Sequence, residues 1–115
     1  MASKTYYILG LMSGSSLDGL DIAYCSITWD NDRVTNWKLI ESETLPFADK
    51  WKNRLRELPS QNAIIFAKTN TYFGHYIATM VNEFIENYRI KDLDFIASHG
   101  HTIFHDPEHR ISIQI

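Results

Sequence analysis

The stretch Gly10-Leu11-Met12-Ser13-Gly14-Ser15-Ser16-Leu17-Asp18-Gly19-Leu20-Asp21 decides how the beginning of this chain folds. An apolar run from Tyr6 to Met12 leads into it, and a second apolar run from Leu20 to Ile27 leads out. Glycines, serines and a carboxylate between two apolar runs predict two strands joined by a tight turn. One interpretation is an ordinary β-hairpin with a polar tip, and the other is a turn that binds a ligand.

The residue types in the turn suit an anion. Gly14 and Gly19 can adopt positive φ and let another molecule approach the backbone closely. Successive backbone N–H groups in such a turn form a concave anion site. Hydroxyl donors are added by Ser13, Ser15 and Ser16.

The two carboxylates of the stretch indicate which kind of anion would fit. Asp18 and Asp21 would repel a bare phosphate, but they suit a phosphate that arrives with Mg²⁺. The lysine-containing phosphate loop is excluded because no Gly-Lys-Ser/Thr follows and the turn leads into a strand instead of a helix. The dinucleotide-binding fingerprint is excluded for the same reason.

The pattern after the turn predicts two further strand segments in sequence. Leu20–Trp29 is mostly apolar on both alternating faces, which predicts a central strand covered on both sides. A polar turn at Asp30–Arg33 separates it from a more exposed strand over Val34–Thr44, which Pro46 ends. Three consecutive antiparallel strands are therefore expected at the start of the fold.

Helical periodicity follows the strands. A short helix is predicted from Ala48 to Leu58, ended by Pro59, with Ser60 as a plausible N-cap of the next helix. A continuous apolar stripe predicts a long helix, or two nearly continuous ones, from about Gln61 to Asn87.

A fourth strand is expected after the long helix. It covers Leu93–Ser98 and should run parallel to the first strand, because a long helix connects them. His99 and Gly100 would then lie just past its C-terminal end, where ligands bind in open α/β sheets.

The end of the chain is rich in histidine. A zinc site is one interpretation, and polar pocket residues or surface histidines are the favoured alternatives. Gly100, Asp106 and Pro107 suggest that a strand is broken here, so the histidines need not share one face. The clustered histidines are His99, His101, His105 and His109.

Bulk properties limit the protein class. The chain has 115 residues, of which 44% are hydrophobic and 22% charged, as in one globular domain. The net charge of −3 argues against a nucleic-acid partner. No segment approaches the roughly 20 apolar residues that span a bilayer, so no membrane partner is expected. The single cysteine, Cys25, suggests a buried reduced thiol and a cytoplasmic protein.

Two separated motifs resemble those of one family, the anhydro-N-acetylmuramic acid kinases. The stretch from Gly10 to Asp21 is similar to the family's opening motif. The later stretch Ser98-His99-Gly100-His101-Thr102-Ile103-Phe104-His105-Asp106-Pro107 is similar to a family pattern of His-Gly-Gln-Thr, a hydrophobic pair, His and often Pro. Ser15 stands where the family usually has Thr, and His101 where it usually has Gln. The resemblance covers essentially the whole chain, which corresponds to the N-terminal portion of a longer protein.

The resemblance implies a fold and an activity. The fold is α/β, of the ribonuclease H-like or actin-like ATPase type, with residues 1–115 as the N-terminal part of the first lobe and the second lobe absent. The full-length protein would use ATP, Mg²⁺ and water to convert 1,6-anhydro-N-acetylmuramic acid to N-acetylmuramic acid 6-phosphate during cell-wall recycling. A homodimer is allowed for the full-length protein. The alternatives are a non-catalytic nucleotide- or sugar-binding module and, less favoured, a kinase for another sugar.

The resemblance also implies site residues. Asp18 and Asp21 are the candidates for contact with Mg²⁺. The family's general base, an aspartate, lies beyond residue 115, so no catalytic residue is expected in this chain and the chain by itself is expected to be inactive. The ATP phosphates are assigned to Gly14, Ser15, Ser16, Leu17, Asp18, Gly19, Leu20 and Asp21. The sugar is assigned to His99, Gly100, His101 and Thr102.

Overall fold

The computed structural model describes residues 3–115, which form a sheet and two α-helices. The strands are β1 (Lys4–Ser13), β2 (Gly19–Asp30), β3 (Arg33–Pro46), β4 (Phe95–Asp106) and β5 (Ile111–Gln114). The helices are α1 (Asp49–Glu57) and α2 (Ala63–Asn87), and short 3₁₀ turns cover Leu58–Ser60 and Pro107–His109. The strands lie in the order β3-β2-β1-β4-β5 in a single five-stranded sheet.

Strand pairing confirms the predicted α/β architecture. β1 pairs with β2 and β2 with β3, both antiparallel, so a three-stranded meander comes first. The chain then passes through α1 and α2 and returns as β4, which pairs in parallel with β1. A parallel partner requires a crossover connection, and the long helix supplies it. This is the element order expected for the N-terminal part of an actin-like ATPase fold.

The fourth strand is longer than predicted. The expectation that it ends near Ser98, with His99 and Gly100 beyond it, is wrong, because β4 continues to Asp106. Gly100 has φ of 78°, and the β1–β4 register shifts between Leu11 and Ser13, opposite this glycine. A glycine tolerates positive φ, so the strand passes through a local irregularity instead of ending.

The helix boundaries differ slightly from the prediction. α1 ends at Glu57 and continues as the 3₁₀ turn that contains Pro59. The N-cap of α2 is Asn62 and not Ser60, because the Asn62 side-chain oxygen accepts a hydrogen bond of 2.9 Å from the Ile65 N–H. α2 is one continuous helix of 25 residues, in agreement with the predicted apolar stripe.

The core lies between the helices and one face of the sheet. On β1 and β2, alternate residues such as Leu9, Leu11 and Ile22 are buried on the face that the helices cover. The helices contribute Trp51, Leu55, Phe73, Met80, Val81 and Phe84. The aromatic stripe of α2 is therefore core.

The opposite face of the sheet is open among the described residues. The prediction that β2 is covered on both sides is wrong, because Asp21 is exposed and Cys25 is only half-buried. Met12, on the neighbouring strand, is also exposed. The helices pack on one face only, so this second face is available to form a site.

None of the helices within residues 3–115 is both long enough and apolar enough to cross a membrane.

Candidate functional site

The turn between β1 and β2 is closed by its own backbone. The Leu17 N–H donates to the Gly14 carbonyl over 3.1 Å, which makes a four-residue turn from Gly14 to Leu17. Leu17 adopts the left-handed conformation with φ of 61°, whereas Gly14 and Gly19 do not. The turn therefore does not use the positive φ that glycine permits at these two positions.

The buried side chain of Leu17 anchors the turn to the hydrophobic core. This side chain is 7% exposed and belongs to the core cluster, so burial of this leucine offsets its strained backbone. Ser15 and Ser16 then project at the surface, and within residues 3–115 neither hydroxyl makes a hydrogen bond inside the protein. The turn is a fixed loop that presents two hydroxyl donors to solvent.

The presence of glycine at position 19 is explained by packing against another strand, which the sequence did not reveal. A Cβ at this position would lie 2.1 Å from the carbonyl oxygen of Leu45 on β3. The missing side chain allows β3 to approach β2, so the close contact at Gly19 is with the chain's own backbone. At Gly14 a Cβ would meet only the Ser16 Oγ at 3.7 Å, an ordinary contact. Of the two glycines, Gly14 leaves the more room for a ligand.

Small residues form a hollow across the open face of the sheet. Gly10 is paired with Ala23 on one side and Ala97 on the other, and Ala23 is paired with Ser42. A row of such short side chains across four strands leaves an open cleft of about 840 Å³. Sequence reasoning missed this row because its members are far apart in the chain and only strand register brings them together.

The rim of the cleft nearest the turn carries polar groups. Asp21 is paired with Met12 and Thr44, two residues along the strands from the row of small residues. The Thr44 hydroxyl donates to the Asp21 carboxylate, which holds that carboxylate at the rim. His99, two residues beyond Ala97, also lines the cleft. The structure therefore brings Asp21 and His99, one from each motif, to the same cleft.

The carboxylates of the first motif suit a magnesium ion that is bound jointly by the protein and a nucleotide better than one that is bound by protein side chains alone. Within residues 3–115 no group of three or more His, Cys, Asp or Glu side chains is placed to hold a metal ion. Asp18 is exposed in the turn and Asp21 is exposed at the rim. Mg²⁺ is usually bound through one or two carboxylates together with phosphate oxygens and water. The donor set therefore suits Mg²⁺ delivered with a nucleotide.

The zinc interpretation of the histidine cluster finds no support in the geometry. Within residues 3–115 these histidines do not form part of any group of three or more His, Cys, Asp or Glu side chains that could hold a metal ion. His109 Nδ1 instead pairs with Asp106 Oδ2 at 2.7 Å on the surface. His105 Nδ1 lies 3.5 Å from the Ser112 Oγ, also on the surface.

His101 lies on the other side of the sheet from the cleft. Its side chain is buried, its Nδ1 lies 2.9 Å from the Ser13 Oγ, and its ring meets the Phe73 ring edge-on on the helical side. Burial lowers the pKa of His101 below its ordinary value of 6.5, and a hydrogen bond to the Ser13 backbone offsets part of that effect. The ring is therefore neutral at physiological pH.

The second motif is thus divided between two faces. His99 lines the cleft, whereas the His101 ring is buried against Phe73 of the core. Gly100 accommodates the irregularity of β4, since a Cβ there would lie 2.6 Å from the Ile115 carbonyl oxygen. Thr102 is half-buried and accepts a hydrogen bond of 3.3 Å from the Gln114 side chain. Of these four residues, His99 alone lines the cleft.

Comparison with known proteins gives one consistent family. The family model described as anhydro-N-acetylmuramic acid kinase matches residues 5–115. An anhydro-N-acetylmuramic acid kinase of Francisella tularensis subsp. novicida is 36% identical over 108 residues, which are 90% of this chain and 28% of that relative. Proteins with the same name from Pseudoalteromonas translucida and Bacillus cereus are 33% and 35% identical, and the matches cover 88% and 89% of this chain.

The alignments cover most of this chain but only a small part of each relative. The aligned residues make up 26% of the Pseudoalteromonas relative and 27% of the Bacillus relative, so the chain spans about a quarter of the length of these curated proteins. The family model nevertheless covers both motifs and all five strands except Lys4, the first residue of β1. The chain belongs to the anhydro-N-acetylmuramic acid kinase family.

Proposed function

We propose that the full-length protein that contains this chain is an ATP-dependent anhydro-N-acetylmuramic acid kinase. It opens the 1,6-anhydro ring with water, transfers the γ-phosphate of ATP and forms N-acetylmuramic acid 6-phosphate for cell-wall recycling in the cytoplasm. Residues 1–115 contribute the N-terminal part of the first lobe. The observation that carries the proposal is the fixed turn with exposed Ser15 and Ser16 close to the rim of an open cleft.

The turn is assigned to the ATP phosphates. Phosphoryl transfer depends mainly on positioned phosphates and on neutralisation of their charge. The Ser15 and Ser16 hydroxyls and the unhindered Gly14 backbone are the groups of the turn available for that contact. Mg²⁺, when bound with the nucleotide, would neutralise charge on the phosphates, and Asp18 and Asp21 are the carboxylates that would hold it or its water ligands.

The cleft is assigned to the sugar side of the site. Its floor of Gly10, Ala23 and Ala97 gives an uncharged hollow, and its rim carries the hydrogen-bonding groups of Asp21 and His99. A few placed polar groups around an otherwise small and apolar surface are typical of small-molecule sites. His99 is therefore the residue of the second motif that we assign to direct contact with the sugar, with Gly100 and Thr102 shaping the strand beside it.

The decisive experiment is an assay of the full-length protein with Mg-ATP and anhydro-N-acetylmuramic acid, with sugar phosphate as the measured product. ATP-dependent formation of the phosphate is expected. Binding of both ligands without product would instead indicate a non-catalytic module. The 115-residue chain assayed in parallel should give no product above a protein-free control. It spans about a quarter of the length of its relatives, and the family resemblance assigns the aspartate base and the second lobe that closes over the nucleotide to residues beyond 115.

Asp18→Asn in the full-length protein should lower turnover at least about tenfold, which corresponds to about 1.4 kcal/mol in the barrier. The substitution keeps the size of the side chain and removes the charge that would act on Mg²⁺ or its waters. Steady-state kinetics with varied Mg²⁺ measures the effect. Asp32→Asn is the matched control, because Asp32 is an exposed aspartate in the distant β2–β3 turn. Equal turnover in the two variants would remove Asp18 from the mechanism.

His99→Ala should raise the Michaelis constant for the sugar more than that for ATP, by about fivefold to tenfold, the effect of losing one hydrogen bond. Thr102→Val should shift the same constant in the same direction. His105→Ala is the control, because His105 is an exposed histidine of the same strand that does not line the cleft. A larger effect on ATP than on the sugar would contradict the assignment.

A further inference from the structure

The two family motifs are joined by a buried pair of polar side chains. Ser13 is the last residue of β1 and directly precedes the Gly14–Leu17 turn, and it is 3% exposed. His101, on β4, is 4% exposed, and its Nδ1 lies 2.9 Å from the Ser13 Oγ. Buried polar groups of this kind require a partner, so each residue restricts the position of the other.

The pair occurs where the backbone pairing of β1 and β4 is irregular. Regular parallel register runs from Ile8↔Phe95 to Leu11↔Ser98, then shifts, and resumes at Ser13↔His101. At such an irregularity the ladder of backbone hydrogen bonds is disrupted. The side-chain hydrogen bond between Ser13 and His101 links the two strands just beyond that point.

His101 is held through both its backbone and its ring. Its N–H donates to the Ile115 carbonyl over 2.9 Å, and its own carbonyl accepts from the Ile115 N–H over 3.0 Å. Its ring packs edge-on against Phe73 of α2, with centroids 6.3 Å apart. A ring fixed in this way can hold Ser13, whereas an exposed histidine would pay an entropic cost for the same contact.

We propose that His101 is a positioning residue that acts through Ser13 to fix the start of the Gly14–Leu17 turn relative to the strand that carries His99. The proposal rests on the proposed function, because it gives the link a purpose in placing the phosphate-binding turn beside the sugar cleft. His101 itself contacts neither ligand.

The link depends on pH in a defined direction. The His101 ring contacts Ser13 of β1 and Phe73 of α2, and Ile115 pairs with its backbone; none of these three side chains can titrate, and no nearby charge shifts the pKa of the ring. An imidazolium there would be a buried charge without a counter-ion among residues 3–115, and burial accordingly lowers the pKa of His101.

The sign follows from that lowered pKa. Well above pH 6.5, the ordinary value, the ring is neutral whether the Ser13–His101 hydrogen bond is made or broken, and the link is fully present. As the pH falls below that value, His101 takes up a proton more readily when its hydrogen bond to Ser13 is broken than when that hydrogen bond is made. The hydrogen-bonded arrangement of the turn is therefore lost as the pH falls through the lowered pKa of His101.

The test measures amide hydrogen exchange of the turn in the full-length protein between about pH 5 and 8, corrected for intrinsic exchange. Ser13→Ala removes one hydroxyl and should accelerate exchange of the turn amides about fivefold to tenfold at neutral pH. The wild type should show the same acceleration only as the pH falls. His101→Gln should keep slow exchange without the acid step, because an amide can hydrogen-bond Ser13 but does not titrate.

Controls and kinetics separate this role from a general loss of stability. His75→Gln, at an exposed histidine of α2, should exchange like the wild type at every pH. In steady-state kinetics, Ser13→Ala should raise the Michaelis constant for ATP. In the wild type this constant should rise as the pH falls, and His101→Gln should remove that rise.

Two results would overturn the inference: turn exchange unchanged by Ser13→Ala, or an acid step that persists in His101→Gln. If the protein proves to have no kinase activity, the proposed function fails, but the exchange measurements still decide whether the link exists.

Discussion

Phe73→Ala is expected to lower the free energy of unfolding by about 3–5 kcal/mol, the range for deleting a buried phenylalanine side chain. Phe73 is 1% exposed, and its ring contacts the rings of Phe47, Trp51 and His101. The substitution therefore opens a cavity where the helices, the end of β3 and the second motif meet. Denaturant unfolding of the wild type and the variant measures the loss.

The chain offers a matched control for this prediction. Tyr72 is the preceding residue of the same helix, and its side chain is 55% exposed. Tyr72→Ala removes a similar aromatic ring without leaving a buried cavity, so a loss of no more than about 0.5 kcal/mol is expected. Similar losses at Phe73 and Tyr72 would mean that α2 does not pack on the sheet as described.

Gly19→Ala is expected to destabilise the protein by about 1–3 kcal/mol, as overpacking of a well-packed site usually does. The added methyl group would lie 2.1 Å from the Leu45 carbonyl oxygen, which is backbone and cannot rotate away. The β2–β3 pair would have to separate at Gly19↔Pro46, next to the turn assigned to phosphate. The change in unfolding free energy and the strand amides that lose exchange protection both report this effect.

Gly14→Ala is the control for the same turn. A methyl group there meets only the flexible Ser16 Oγ at 3.7 Å, and Gly14 does not adopt positive φ. The free energy of unfolding should change by no more than about 0.5 kcal/mol. Any loss of nucleotide binding in Gly14→Ala then reports on ligand contact. Equal destabilisation by the two alanines would contradict the packing at Leu45.

Local periodicity explains which parts of the fold were predictable. The apolar runs on both sides of the turn predicted β1 and β2, and the stripe through Phe73, Met80 and Phe84 predicted α2. The end of β4 was mispredicted because Gly100 is a breaker in most local contexts. Here its positive φ and its closeness to Ile115 let the strand continue.

The candidate site was predictable only in its chemistry. Ser15, Ser16 and Asp18 are exposed in the predicted turn, because a short turn between two strands necessarily lies at the end of a sheet. The role of Gly19 was not predictable, since the atom that it accommodates belongs to Leu45, in another strand. The placement of His99 and His101 on opposite faces of the sheet was likewise not predictable, since it depends on the strand irregularity between them.

The sequence by itself determined the elements, their order and the residue types of the two motifs, because propensity, periodicity and turn chemistry act between near neighbours in the chain. Only the tertiary structure decided that Gly10, Ala23, Ser42 and Ala97 align into one hollow, and that His101 meets Ser13. Strand register and the choice of the face that the helices cover depend on packing between distant residues. A shift of one residue along a strand would move every side chain to the opposite face.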